Sequence, residues 1–294
     1  MMFADDVILL GEASKDQAQI IKNCLQKFCD ASGQKVSKDK SRIYFSPNTN
    51  DAVIAEVCNT LEIPQTDDLG RYLGVPTING RVTKTTFGAV IDRVENRLAG
   101  WRAKCLSLAG RVTLVTSTIN AIPAYVMQSA RLPRSVCDTL DNRIRRFLWG
   151  GTSIERKPHL VKWDTLIKEK SKGGLRLRSM RHLNTAFLMK LGWRLKSEPS
   201  ALWVRLLNEK YCRGRDINSI TGRGVNCSNA WRGILETREL LDQGLGVAIG
   251  DGRHTEFWNQ KWLDGKVLAQ QALQRIPPEQ RLNRACDYWK QGMG

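Results

Sequence analysis

From Thr83 to Tyr211 apolar residues recur at the three- and four-residue spacing of an α-helix, and this period constrains the fold more than any other feature of the chain. Phe87, Val90, Ile91, Val94 and Leu98 share one face. A helix is predicted from residue 107 to residue 122, stopped by Pro123. Another begins near Pro133, with Val136, Leu140, Ile144, Phe147 and Leu148 on one stripe, Arg143, Arg145 and Arg146 on the other face, and Gly150-Gly151 as its end. A loop containing Gly173-Gly174 follows, then helices over residues 184–195 and 201–211. Beyond Gly214 the pattern loosens and glycine becomes more frequent.

Ahead of this helical stretch the period is mixed. Phe3-Ala4-Asp5-Asp6-Val7-Ile8-Leu9-Leu10 places apolar residues on both sides of two acids and reads as strand, tight turn, strand. Ser14 and Gln17 have the spacing of a capping box, and the helix they open repeats at Ala18, Ile21, Cys24, Leu25 and Phe28 before Gly33 ends it. Residues 42–45 read as a short strand, and Val53, Val57 and Leu61 as a further helix. Tyr72-Leu73-Gly74-Val75 reads as extended, with turns marked by Gly70, Gly74 and Gly80. The expected fold class is α+β, mostly α-helical, in three segments: a mixed piece over 1–80, a basic helical piece over 81–215 and an irregular tail over 216–294. No internal repeat or low-complexity tract interrupts them.

Charge is distributed unevenly. The chain has 46 Lys+Arg against 29 Asp+Glu, a formal net of +17. Residues 1–130 hold 15 basic and 13 acidic side chains, residues 131–215 hold 21 and 7, and residues 216–294 hold 10 and 9. Nearly all the excess therefore lies in the middle segment. Clustered cations gather polyanions by releasing counterions, which makes nucleic acid the leading partner. The competing readings are a solvated basic face and a membrane-surface helix. No apolar run approaches the roughly 18 to 20 residues that span a bilayer, and the first six residues lack the basic leader of a signal peptide, so an intracellular location, nuclear or cytoplasmic and not secreted, is expected. Eight cysteines form no C-x-x-C pair, and with three histidines they show no zinc-site spacing. They act as small apolar residues in a reducing compartment.

Asp5 and Asp6 are the candidate catalytic and metal-holding residues. Adjacent carboxylates at a hairpin tip can hold a divalent cation where a phosphate can reach it, and nucleotidyl transfer uses such ions in pairs. One acidic pair is half of such a site. The alternative is an acidic turn at a strand end.

The motif series resolves a resemblance. Phe3-Ala4-Asp5-Asp6 followed by Leu9-Leu10 resembles the F-A-D-D element of non-LTR (LINE-type) retroelement reverse transcriptases of plants. Ser32-Gly33-Gln34-Lys35-Val36 with Lys40-Ser41, then Arg71-Tyr72-Leu73-Gly74-Val75-Pro76, resemble the family's next palm elements. Trp101 with Leu106-Ser107-Leu108-Ala109-Gly110-Arg111, Ile122-Pro123 with Tyr125, Leu132-Pro133, and Phe147-Leu148-Trp149-Gly150 are similar to its thumb elements. Gly173-Gly174-Leu175, Asn184 with Ala186, Leu202-Trp203, Lys210-Tyr211, Gly250-Asp251-Gly252, Phe257-Trp258 and Trp262-Leu263 continue the order to about residue 268. Two positions depart from the family: Arg176 stands where glycine is common, and Asn259-Gln260 where an acidic residue is common.

The resemblance implies a partial palm edge, a helical thumb and a connector leading toward a zinc-binding region, in a fragment of an RNA-directed DNA polymerase. It implies Mg²⁺ or Mn²⁺ at Asp5 and Asp6 in the intact enzyme, no zinc site in this chain, and an RNA template and DNA primer as partners, with no membrane. A third carboxylate and the fingers are expected upstream, so this chain alone is expected to be inactive. Lys40 would meet the nucleotide or pyrophosphate, or is a surface lysine before a strand. Tyr72, Leu73 and Gly74 would grip the primer, or form an aromatic strand packed on the thumb. Arg111, Arg143, Arg145, Arg146, Lys157, Lys162, Lys172, Arg176 and Arg178 would contact nucleic-acid phosphates, or are solvated helix surface. The nine tryptophans stack on bases or, more simply, pack the core. A non-catalytic RNA- or DNA-binding remnant and a decayed open reading frame are the alternative functions.

Overall fold

The computed structural model describes residues 2–78, 80–100, 105–151, 157–215, 220 and 227–288. Trp101 lies outside the described residues. The chain folds as α+β, mostly helical, and divides into two compact units, Met1–Arg81 and Val82–Gly294.

The first unit holds two short hairpins and two helices. β1 (Met2–Phe3) pairs antiparallel with β2 (Asp6–Val7), with Phe3 opposite Asp6. The strands are only two residues long, and beyond them Ile8 is half-buried while Leu9 and Leu10 are exposed. α1 (Lys15–Ser32) starts where the Ser14 hydroxyl accepts from the Gln17 N–H at 3.3 Å, and ends at Gly33 in the left-handed region with φ 71. α2 (Asp51–Leu61) packs on α1. The strand expected at 42–45 reduces to one parallel bridge between Ile43 and Gln65, since only the backbone of Ile43 meets that of Pro64 and Thr66. β3 (Arg71–Tyr72) and β4 (Val75–Pro76) form the second hairpin.

Among the described residues of this unit, Ala18 and Val57 are the only buried apolar side chains. Polar ties therefore carry much of the joint. The Glu62 carboxylate receives Lys22 of α1 at 3.0 Å and also pairs with Lys38. These two lysines hold the Glu62 carboxyl down at about 2. All three side chains are exposed, so the ties are salt-sensitive and individually weak.

The second unit is built from α3 (Gly88–Ala99), α4 (Leu108–Leu114), α5 (Ala121–Met127), α6 (Arg134–Leu148), the single turn α7 (Trp163–Leu166), α8 (Met180–Ser197), α9 (Leu202–Leu207) and α10 (Asn229–Gly244). Pro123 does not stop its helix as expected. It occupies the third position of α5, directly after a π-helical turn, Val115–Ile119, in which the Asn120 N–H reaches back to the Val115 carbonyl. The turn already breaks the regular ladder where proline would fail to supply a donor. The tail is also more ordered than expected. Gly233 interrupts the apolar stripe of α10 and so masks the helix in the sequence. Packing favours that glycine, since a Cβ there would lie 2.6 Å from Leu188 Cδ2 of α8 and would make the leucine shift.

The core of this unit runs through Phe87, Val94, Ile119, Met127, Val136, Leu140, Ile144 and Met180. Beside it Leu195, Val204, Cys212, Trp231 and Ile234 form a second cluster, with Tyr211 stacked on Trp231 at 4.7 Å. Three polar devices join the helices. The Asp141 carboxylate on α6 accepts from the Met180 N–H at 2.9 Å and the Ser179 hydroxyl at 3.0 Å, capping α8 from a neighbouring helix. Burial raises its pKa even against these two bonds. Asn184 of α8 accepts from the Leu132 N–H at 2.9 Å and donates to the Ala130 carbonyl at 3.0 Å. Asn229 does the same for Arg131, accepting from its N–H at 2.6 Å and donating to its carbonyl at 2.9 Å. Toward the end, Phe257, Trp262 and Tyr288 pack together, with ring centroids 4.1 Å apart for Phe257 and Tyr288.

Asn184→Ala strands a buried N–H and a buried carbonyl. It should cost about 2–5 kcal/mol in urea unfolding, with Asn184→Asp falling between, and a loss under about 0.5 kcal/mol would show that the clamp does not hold the helices. In the first unit, the Glu62 contribution is complete above the unfolded value of 4.5 and disappears as pH falls through about 2. Carboxyl titration by NMR should place Glu62 near the lower value and move it toward the higher one in Lys38→Gln.

Candidate nucleic-acid interface

The acidic pair sits at the tip of the β1–β2 hairpin. Ala4 and Asp5 make the connection, with Ala4 in the left-handed region at φ 50, and Asp6 opens β2 opposite Phe3. Both carboxylates are exposed. Among the described residues, no group of three or more His, Cys, Asp or Glu side chains could hold a metal ion. A divalent cation of the magnesium type takes an octahedral shell of oxygens, and these two carboxylates do not by themselves fit a resident one.

Lys40 lies on the exposed turn before Ile43 and has no ion pair among the described residues. No hydrogen bond or ion pair joins it to Asp5 or Asp6. Tyr72, Leu73 and Gly74 form the tip of the second hairpin: Leu73 at φ 51 and Gly74 at φ 80 are both left-handed, which makes the connection a type I′ turn. Glycine suits its position. Leucine does not suit the other, and its side chain is half-buried there.

The nine basic residues singled out from the sequence all lie in the second unit, where the structure sorts them into two groups. Three are engaged. Arg111 turns inward: Nε donates to the Leu106 carbonyl at 3.1 Å, Nη1 donates to the Phe147 and Leu148 carbonyls at 3.1 and 3.3 Å, and its guanidinium lies 5.7 Å from the Phe147 ring. It thus supplies a donor to the Leu148 carbonyl, adds a second one to the Phe147 carbonyl, which also accepts from the Gly150 N–H at 3.1 Å, and places positive charge on the negative end of the helix. Gly150 makes room for it. Its φ is 72, and a Cβ added there would lie 2.7 Å from Arg111 Nη1, so a side chain would be strained and would displace the guanidinium. Arg143 pairs with Glu95 of α3, and Lys172 lies 4.0 Å from Glu169.

The other six, Arg145, Arg146, Lys157, Lys162, Arg176 and Arg178, have no carboxylate partner among the described residues. Their charge is felt locally. The His159 pKa is lowered, first by burial and then by Arg145 and Arg146. Arg145 Nε is buried without a hydrogen-bond partner, as are the indole N–H groups of Trp149 and Trp163. Two further cations, Lys168 and Lys170, are exposed on the same loop as Lys172. Sequence reasoning misses them, although the alternation of lysine at 168, 170 and 172 ahead of Gly173-Gly174 is a usable signal. The tryptophans divide too: Trp231 is core, Trp258 and Trp262 join the late aromatic cluster, and Trp193 is exposed. No helix among the described residues is long and apolar enough to cross a membrane.

No family model matches the chain. A protein of Arabidopsis thaliana named as a candidate ribonuclease H protein is 37% identical over 223 residues, which is 75% of this chain but 36% of that protein. This chain therefore spans little more than a third of that relative's length. An uncharacterized mitochondrial protein of the same plant is 36% identical over 144 residues, 49% of this chain and 93% of that protein.

The capping role of Arg111 is separable from ligand contact. Arg111→Met should lower stability by about 1–3 kcal/mol, and Gly150→Ala by a similar amount, whether or not a polyanion is present. An unmoved thermal transition in Arg111→Met, with only polyanion affinity reduced, would overturn it.

Proposed function

This chain belongs to the same protein family as the Arabidopsis mitochondrial protein that it covers almost end to end, and from that premise we propose that it is the palm-edge, thumb and connector portion of a retroelement-type RNA-directed DNA polymerase. The second unit holds an RNA template and DNA primer through their phosphates. Asp5 and Asp6 are two acidic side chains of a centre for Mg²⁺ or Mn²⁺ that further carboxylates of the whole polymerase complete. Lys40 and the Tyr72–Gly74 turn serve the nucleotide and the primer end.

The observation that carries the proposal is the set of six basic side chains without carboxylate partners among the described residues. A cation paired within its own protein gives up attraction to a ligand. These six do not, and their excess falls in the segment with 21 basic against 7 acidic residues. The ordered motif series supports the same reading, as does the name of the ribonuclease H relative, which concerns an enzyme of nucleic acid. The work of this chain's own residues is binding and orientation: phosphate contacts fix the duplex in register without reading its bases. Chemistry at the acidic pair needs ligands beyond the two on the hairpin, so the chain alone should bind primer–template without extending it. The same basic set favours a second reading, a nucleic-acid binder in which Asp5 and Asp6 have no task.

The purified chain titrated with an RNA/DNA primer–template at two salt concentrations, then supplied with Mg²⁺ and deoxynucleotides, tests both. Salt-sensitive binding without extension is the expected result. Extension abolished by Asp5→Ala would overturn the insufficiency of the pair, and no binding at low salt would overturn the nucleic-acid reading altogether.

A further inference from the structure

The loop between α7 and α8 is unusually well closed for a segment so rich in charge. Its base is a pair of main-chain bonds, from the Leu175 N–H to the Leu166 carbonyl at 3.0 Å and from the Arg176 N–H to the Lys168 carbonyl at 2.9 Å. Inside it, the Lys172 and Gly174 N–H groups both donate to the Glu169 carbonyl at 3.0 Å. Gly174 is pressed against Lys168 so closely that an added Cβ would lie 2.0 Å from its carbonyl oxygen, and that contact is backbone on backbone, which no side-chain movement relieves. The loop is thus held as one conformation rather than a flexible tether. On this frame Lys168, Lys170, Lys172 and Arg176 are exposed, against the single acid Glu169.

Arg176 is the informative member. Its φ is 55, in the left-handed region where glycine sits without cost and a side chain does not. Its backbone is held there by the bond to Lys168, so the strain is built into the loop closure. Strained positions that retain a large side chain point to a task for that side chain. Nothing in the described fold uses it: Arg176 has no ion pair among the described residues and its side chain is exposed.

We infer that this closed loop, residues 166–177, is a preorganised clamp for the phosphate backbone of nucleic acid, with Lys168, Lys170 and Arg176 as its contacts. The inference rests on the nucleic-acid reading above and goes further by naming the element, by adding Lys168 and Lys170, and by fixing the mode of recognition. The loop contains no aromatic residue, so it offers no platform for base stacking, and its contacts are cations suited to phosphate oxygens. Binding through it is independent of sequence. A lipid surface is the weaker occupant, because an interfacial segment buries an apolar face, whereas Leu177 is already buried in the protein and Leu175 is half-buried.

The decisive variant is Arg176→Gly in the full chain. Relief of the left-handed strain should raise the melting temperature by about 1–4 °C. Loss of the cation should at the same time weaken duplex binding and reduce the slope of log affinity against log salt by about 0.9. Stability and affinity move in opposite directions, which a purely structural arginine cannot produce. Lys168→Gln with Lys170→Gln should lower the slope by about 1.8, equally for duplexes of unrelated sequence. Wild-type binding with an unchanged slope in all these variants would overturn the clamp while leaving the nucleic-acid reading intact, and absence of wild-type binding at low salt would overturn that reading first. A preference for anionic phosphatidylserine vesicles over duplex, lost in the same variants, would overturn the clamp by assigning the loop to a membrane.

Discussion

Ala130, Arg131 and Leu132 cross the interior of the helical unit without belonging to a helix, and the way their peptide groups are satisfied governs much of what surrounds them. A buried peptide group without a partner costs as much as a lost hydrogen bond, and Ala130 and Leu132 are buried. Two asparagines answer this. Each amide offers one acceptor and one donor, the pair that a strand neighbour would present, so Asn184 and Asn229 act together as a substitute β-strand. Because one sits on α8 and the other starts α10, the clamp sets how those two helices meet. It demands close approach, and Gly192 and Gly233 allow it where larger residues would collide with Leu241 and Leu188. Arg131 closes the arrangement from outside through its ion pair with Glu236 at 2.5 Å.

A second constraint acts at the end of α6. The Leu148 carbonyl needs a donor, and Arg111 brings it from α4 while also bonding the Phe147 carbonyl. Two sequence elements 36 residues apart, Leu106 to Arg111 and Phe147 to Gly150, are therefore one structural device: the guanidinium needs the missing side chain at Gly150, and the helix end needs the guanidinium. The consequence is electrostatic. A positive charge committed to a helix terminus is withdrawn from the surface, so the net charge of the middle segment overstates what a ligand meets. What remains outward is a smaller set around Arg145 and Arg146 and on the α7–α8 loop.

Periodicity makes the helices legible, and local chemistry makes their ends legible: Ser14 caps α1, Gly33 ends it, and Gly150 follows α6. The failures have particular causes. Proline removes a donor and so predicts a stop at Pro123, but a preceding π turn, which leaves no trace in apolar spacing, absorbs that loss. α10 carries a glycine in mid-helix whose reason lies on another helix. Of the candidate site, the residue types are legible and their employment is not. Arg111 and Arg178 look alike in a sequence, yet only the fold shows that one is committed to carbonyls. Arg176 is visible as a departure from a glycine in the resembling family, and its positive φ supplies the physical content of that departure.

The two halves of the proposed activity are supported very unequally. Most of the cations of the second unit stand on helices and a closed loop beside its apolar core. The acidic pair stands on strands two residues long, with Phe3, Val7, Leu9 and Leu10 all exposed, in a unit with two buried apolar side chains among its described residues. An isolated two-stranded hairpin is marginal in water, and a catalytic carboxylate must be held to within about 0.5 Å. Placement of that quality has to come from packing on the hairpin's apolar side chains. The same side chains that make the pair imprecise when bare are the ones a neighbouring sheet would cover. The proposed metal-holding geometry at Asp5 and Asp6 thus requires an assembled sheet, whereas the proposed phosphate contacts stand on elements already fixed within the helical unit.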